Sequence, residues 1–112
     1  MRIISVDFDG TLVEDKWPKI GALNMRLVEY LKNCQKHGIK VVLNTMREGK
    51  LLEDAVDFCR SVGLHFDAVN DNIPEAVALF GSNPRKIYAD WYIDDHSALC
   101  GLGRKLPVLE RR

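Results

Sequence analysis

The chain has 112 residues with 46% hydrophobic side chains, and its sixteen basic and sixteen acidic residues cancel to a formal net charge of zero. That size and balance predict one soluble globular domain over residues 1–112, with no global field towards nucleic acid or an anionic membrane. No apolar run approaches the ~18 residues of a membrane span. Cys34, Cys59 and Cys100 are too widely spaced for a disulfide framework or a thiolate zinc site. With no signal-peptide layout at Met1–Val6, the expectation is a cytoplasmic protein.

Strand and helix patterns alternate along the chain. Ile3, Ile4 and Val6 make a short β-branched run that ends at Asp7. Residues 8–20 read as a loop holding Gly10, Trp17 and Pro18. From about 22 to 36, Leu23, Leu27, Tyr30, Leu31 and Cys34 recur at helical spacing, with Gly38 as the stop. Val41-Val42-Leu43 is a second strand, ending at Asn44-Thr45. A helix over 49–62 follows, striped by Leu52, Ala55, Val56 and Cys59. Phe66 to Val69 reads as a third strand, and Pro74 suits the first turn of a helix running to Phe80. Tyr88 to Ile93 is the fourth strand, ending in Asp94-Asp95. The tail from His96 onwards adds a short edge strand or none. The fold class is α/β: a single small doubly wound, Rossmann-like parallel sheet with helices on both faces. Ligands in such folds bind beyond the carboxyl ends of the strands, where Asp7, Thr45 and Asp94 stand.

Those residues carry the chemistry. An Asp-Gly turn accounts for Asp9-Gly10 but leaves Asp7 as an acid ending a buried strand, where a carboxylate needs a partner. Asp7 and Asp9, two residues apart with a carbonyl between, suit a hard divalent cation. A helix cap accounts for one of Asp94 and Asp95 but not both. Their side chains leave opposite faces of the strand, so one reaches a cation directly and the other through water or a neighbour. Asp90 would share a side of the strand with Asp94. Like charges gathered at one sheet edge demand a cation. Thr45 reads either as the cap of the second helix or as a hydroxyl for phosphate oxygens at a helix start. Arg47 offers a bidentate contact to a phosphate or a carboxylate. Lys86 and Lys50 are the candidate charge neutralisers, each also readable as a solvated surface ammonium.

Asp7-Phe8-Asp9-Gly10-Thr11 after an apolar strand resembles the first motif of the haloacid dehalogenase-like superfamily. Thr45 matches its second motif and Asp94-Asp95 its fourth. The stretches Thr45 to Gly49 and Ala89 to Asp95 resemble a small capless subgroup described as phosphatases or hydrolases, over residues 1 to about 96. Asn44 departs from the bulky apolar residue usual before the threonine. For the third-motif lysine, Lys86 is favoured and Lys50 second. Residues 12–20 are too short for a cap and 50–85 are used by the core. The resemblance implies a magnesium-dependent phosphoester hydrolase working through an aspartyl-phosphate. Asp7 would be the nucleophile and Asp9 the general acid and base. Asp7, the Asp9 carbonyl, Asp94 and Asp95 would hold Mg²⁺, and Thr45, Arg47 and Lys86 the substrate phosphate.

Two rivals share this fold. A receiver-type phosphoacceptor module carries its acid pair after strand one but its phosphorylated aspartate after strand three, which here ends in Val69-Asn70-Asp71. A catalytically inactive binding protein is the other. The expected partner is a small phosphorylated substrate of undetermined identity, with no nucleic acid and no membrane. His96 could touch substrate or hold the acidic loop. Without a cap to exclude water, a homo-oligomer is expected, with Trp17 near the interface or the substrate.

Overall fold

In the computed structural model, residues 2–83 and 86–94 are described. The β-branched run forms β1 (Ile3–Val6), buried at all four positions. The segment expected to be a loop is instead a hairpin of β2 (Val13–Lys16) and β3 (Lys19–Leu23). Only Val13 of β2 is buried, so Glu14-Asp15-Lys16 hide the apolar alternation that announces a strand. Gly21 faces the bulge in β2, where a Cβ would run into the Glu14 carbonyl.

The hairpin delays the first helix. α1 (Met25–Lys36) starts three residues after the expected 22 because Asn24 caps it, its side chain accepting the Leu27 N–H at 3.2 Å. Gly38 ends the segment at φ +81°, in the left-handed region that favours glycine. β4 (Lys40–Leu43), α2 (Gly49–Ser61) and α3 (Pro74–Phe80) follow the sequence pattern closely. β5 (Ala68–Val69) and β6 (Trp91–Ile93) are shorter than expected. Their flanking amides and carboxylates bond sideways instead. Asp67 Oδ2 accepts the Val41 N–H at 2.7 Å, and Asn72 Oδ1 accepts the Tyr88 N–H at 2.8 Å.

The sheet runs β5-β4-β1-β6, with every pairing parallel. Ile4, Val41 and Trp91 lie in one row across it and Val6, Leu43 and Ile93 in the next. Both rows join the core with Val28, Leu31 and Cys34 of α1 and Ala55 and Cys59 of α2. Ile3 and Val42 belong to a second cluster with Ala76 of α3, Ile87 and Ala89. The chain is therefore α/β, a four-stranded parallel sheet with three helices. Strand order reverses at β1, which lies between β4 and β6, and open α/β sheets take ligands at such a reversal. No helix of the described residues is long and apolar enough to cross a membrane.

Candidate active site

Asp7 leaves the carboxyl end of β1 with its N–H still bonded to the Ile93 carbonyl at 3.0 Å. Its Oδ1 accepts the Phe8 N–H at 2.7 Å, which fixes one carboxylate oxygen. Thr45 follows β4, and its N–H is held by Asn70 Oδ1 at 2.8 Å, while its hydroxyl accepts the Arg47 N–H at 3.2 Å. Asp94 follows β6 directly. Ser5, Asp7, Thr45, Tyr92 and Asp94 all line one cleft of about 220 Å³. A second lobe of about 290 Å³, under the hairpin, shares Asp7, Thr45 and Met46 and adds Asp9, Asp15 and Trp17. Asp7 thus stands where two lobes meet.

The donors are hard oxygens. Among the described residues, no group of three or more His, Cys, Asp or Glu gathers tightly enough to hold a metal on side chains alone. Magnesium asks for less, being held by one or two carboxylates with waters and substrate phosphate completing its shell. Asp7 and Asp94, two carboxylates lining one lobe, fit that requirement. Asp95 and His96 lie outside the described residues.

Arg47 requires a correction. Expected on the substrate phosphate, it is instead buried, 3% exposed, and grips the Asp9 carboxylate bidentately, Nε to Oδ2 at 2.7 Å and Nη2 to Oδ1 at 2.8 Å. Its remaining N–H groups donate to the carbonyls of Pro18, Lys19 and Leu51 at 3.3, 3.0 and 3.5 Å. A guanidinium has five donors, and all five are used within the protein. The hydrogen bond to Asp9 pushes the guanidinium pKa up despite burial, and the Phe8 ring lies 5.0 Å from its central carbon. Sequence pattern suggested a bidentate fork but not its acceptor, because Asp9 is 38 residues away.

Lys86 is exposed and outside both lobes, and its main chain is tied to the loop after β5. Its carbonyl accepts from Asn72 Nδ2 at 3.3 Å, two residues beyond the Asn70 that holds Thr45. Lys50 stands in the first turn of α2, paired with Asp54 at 2.9 Å. Asp90 does not join Asp94. It is buried at the opposite end of the sheet, accepting the Ile3 N–H at 2.8 Å and the Tyr88 hydroxyl at 3.2 Å. Ser5, Asn70, Asn72 and Tyr92 were not marked by the sequence as site residues. A run of amides and acids after a strand, Asn70-Asp71-Asn72, was the available signal for two of them.

No family model matches this chain, and no curated protein does either. It is similar to the solved structure of a conserved protein from Bacteroides thetaiotaomicron, with 42% identity and a TM-score of 0.75. The match covers 85% of this chain and 76% of that one. At that identity over that span, the chain belongs to the same family as the conserved Bacteroides protein.

Proposed function

We propose that this protein is a magnesium-dependent phosphoester hydrolase of the haloacid dehalogenase-like kind, on a small capless, doubly wound Rossmann-like core, acting through an aspartyl-phosphate. The observation that carries the reading is the meeting of Asp7, Thr45 and Asp94 in one cleft at the ends of three neighbouring parallel strands. A carboxylate held at Oδ1 by the Phe8 N–H and lining both lobes supports in-line attack on phosphorus. An Asp7 oxygen forms the new P–O bond as the ester P–O bond breaks, and Asp9 gives the departing alcohol its proton. Water then attacks the same phosphorus, Asp9 takes the water proton, phosphate leaves and Asp7 is regenerated. Thr45 receives the transferring oxygens, where charge stabilisation counts most, and the exposed Lys86 side chain must reach in from outside the two lobes to join it. Asp7, the Asp9 carbonyl, Asp94 and Asp95 would hold Mg²⁺, which would supply positive charge against the repulsion between carboxylate and phosphate.

In the resting arrangement both Asp9 oxygens face Arg47, so proton delivery requires one oxygen to turn into the second lobe that Asp9 lines. A cytoplasmic setting and a small phosphorylated substrate belong to the same reading. Trp17, 60% exposed beside the second lobe, supports a contact there with substrate or a second copy, which light scattering at high concentration distinguishes. The deciding experiment is a screen of small phosphate esters with added magnesium. Multiple turnover of at least one ester is expected. No turnover across the library would overturn the enzyme reading and favour a receiver-like or inactive binding module.

A further inference from the structure

The apolar anchorage of the hairpin lies in its strands, where Val13 is buried and Ile20 and Leu23 pack half-buried against the core, and not in its turn. Of β2 only Val13 is buried, and β3 has no fully buried position, Lys19 and Ala22 being exposed. Its turn is nevertheless tied to the core by Arg47, through the Pro18 and Lys19 carbonyls. The same guanidinium holds both oxygens of Asp9, and its fifth donor reaches Leu51 in α2. A guanidinium is planar with a rigid donor fork, so acceptors sharing it are fixed relative to one another. The hairpin in turn supplies Asp15 and Trp17 to the lobe that Asp9 and Asp7 line.

We propose that Arg47 is a positioning residue that makes the β2–β3 turn and the Asp9 carboxylate one mechanical unit. The wall of the second lobe and the carboxylate assigned to the leaving group are set together, Arg47 keeping one Asp9 oxygen while the other turns into the lobe. A substrate pressing on Trp17 therefore acts on Asp9 through the Pro18 and Lys19 carbonyls and Arg47. The catalytic half of this inference rests on the proposed hydrolase reading; the structural half does not. The coupling belongs to the rate of the chemical step rather than to affinity, because positioning of the proton donor is felt in the transition state.

Hydrogen exchange of the full-length protein, read by mass spectrometry, tests the structural half. Asp9→Asn is nearly isosteric but weakens the charge-assisted fork. It is expected to speed exchange in residues 13–23 at least tenfold, with α1 unchanged. Arg47→Lys keeps the charge and loses the fork, and is expected to do the same. Should Arg47→Lys fail to fold, Asp9→Asn alone decides, since its carboxylate is partly exposed. Unchanged exchange in residues 13–23 of Asp9→Asn would overturn the coupling.

The reciprocal test inserts two glycines between Lys16 and Trp17 and follows hydrolysis of an alkyl phosphate with a poor leaving group. A fall in kcat of at least tenfold, with KM within twofold, is expected. A rise in KM at unchanged kcat would reduce Arg47 to a hairpin anchor and overturn its positioning role. Absence of any hydrolysis by the wild type would sink the proposed function, while the exchange experiment would still decide the coupling.

Discussion

Asn70 Oδ1 accepts the Thr45 N–H at 2.8 Å while the Asn70 N–H donates to the Leu43 carbonyl at 2.7 Å. One residue thereby clips the ends of β4 and β5 and fixes the turn that presents Thr45. It does so at φ +50°, a left-handed conformation that asparagine tolerates better than most residues. Asn70→Gly removes the clip without backbone strain, and Asn70→Ala removes the clip and adds strain. Urea unfolding is expected to show a loss of about 1 kcal/mol for glycine and about 1–2 kcal/mol more for alanine. A glycine variant as stable as the wild type would deny the clip any weight.

Asp7→Asn can keep the bond from the Phe8 N–H, so the fold is expected to survive while turnover stops. Excess chelator should abolish the wild-type activity and magnesium restore it. Steady-state assays with each treatment check both points. Persisting turnover in chelator would remove the metal from the reaction, and an active Asp7→Asn would remove the nucleophile.

The two lysines differ in surroundings. Lys50 is fully exposed and already paired with Asp54, whereas the Lys86 main chain is tied to the loop after β5. Lys86→Ala is expected to cut kcat/KM at least tenfold, about 1.4 kcal/mol or more of barrier stabilisation. Lys50→Ala should fall well short of that. The opposite ranking would move the phosphate-neutralising role into α2.

Asp90 serves the other end of the molecule. Ile3 and Asp7 are four residues apart along an extended strand, about 13 Å. Asp90→Ala leaves the Ile3 N–H without its 2.8 Å acceptor in a buried setting, at an expected cost of about 1–3 kcal/mol in urea unfolding. Asp90→Asn retains an acceptor and should lose less. Activity per folded molecule should remain that of the wild type in both.

Burial pushes the Cys59 thiol up to about 12 from its ordinary 9.0. The folded state prefers the neutral thiol more strongly than the unfolded chain does. The stability this contributes is complete below pH 9 and is lost as pH rises from there towards 12. The urea midpoint of the wild type should therefore fall more steeply across that range than that of Cys59→Ala, each normalised to its own value at pH 8. Parallel profiles would argue against the shift.

Strands and helices with an apolar signature of their own were legible in the sequence. β1 and β4 are runs of β-branched residues, and α2 and α3 carry a stripe or a proline at the start. The hairpin was not legible, because charged residues occupy β2 and its tether is the side chain of a distant arginine. β5 and β6 were overestimated where Asp67, Asn72 and Asp90 take over bonds that a ladder would otherwise make. Asp7, Thr45 and Asp94 could be named because each ends a recognisable strand. The true partner of Arg47 could not, since a fork that suits phosphate suits an aspartate equally well.

The two faces of the sheet are unequally upholstered. Among the described residues, sixteen buried side chains form the cluster on the α1 and α2 side and six the cluster on the α3 side. Asp7, Thr45 and Asp94 hang from the strands themselves, but the Lys86 main chain is moored to the thinner layer through Asn72. Warming should loosen that layer before it melts the sheet. Heat inactivation of the proposed phosphate-ester turnover is then expected in two stages, beginning several degrees below the midpoint of the far-ultraviolet circular dichroism transition. Cooling from that interval should restore activity in full, because the scaffold that re-seats the lysine never came apart. Activity and ellipticity lost together at one temperature would speak against it.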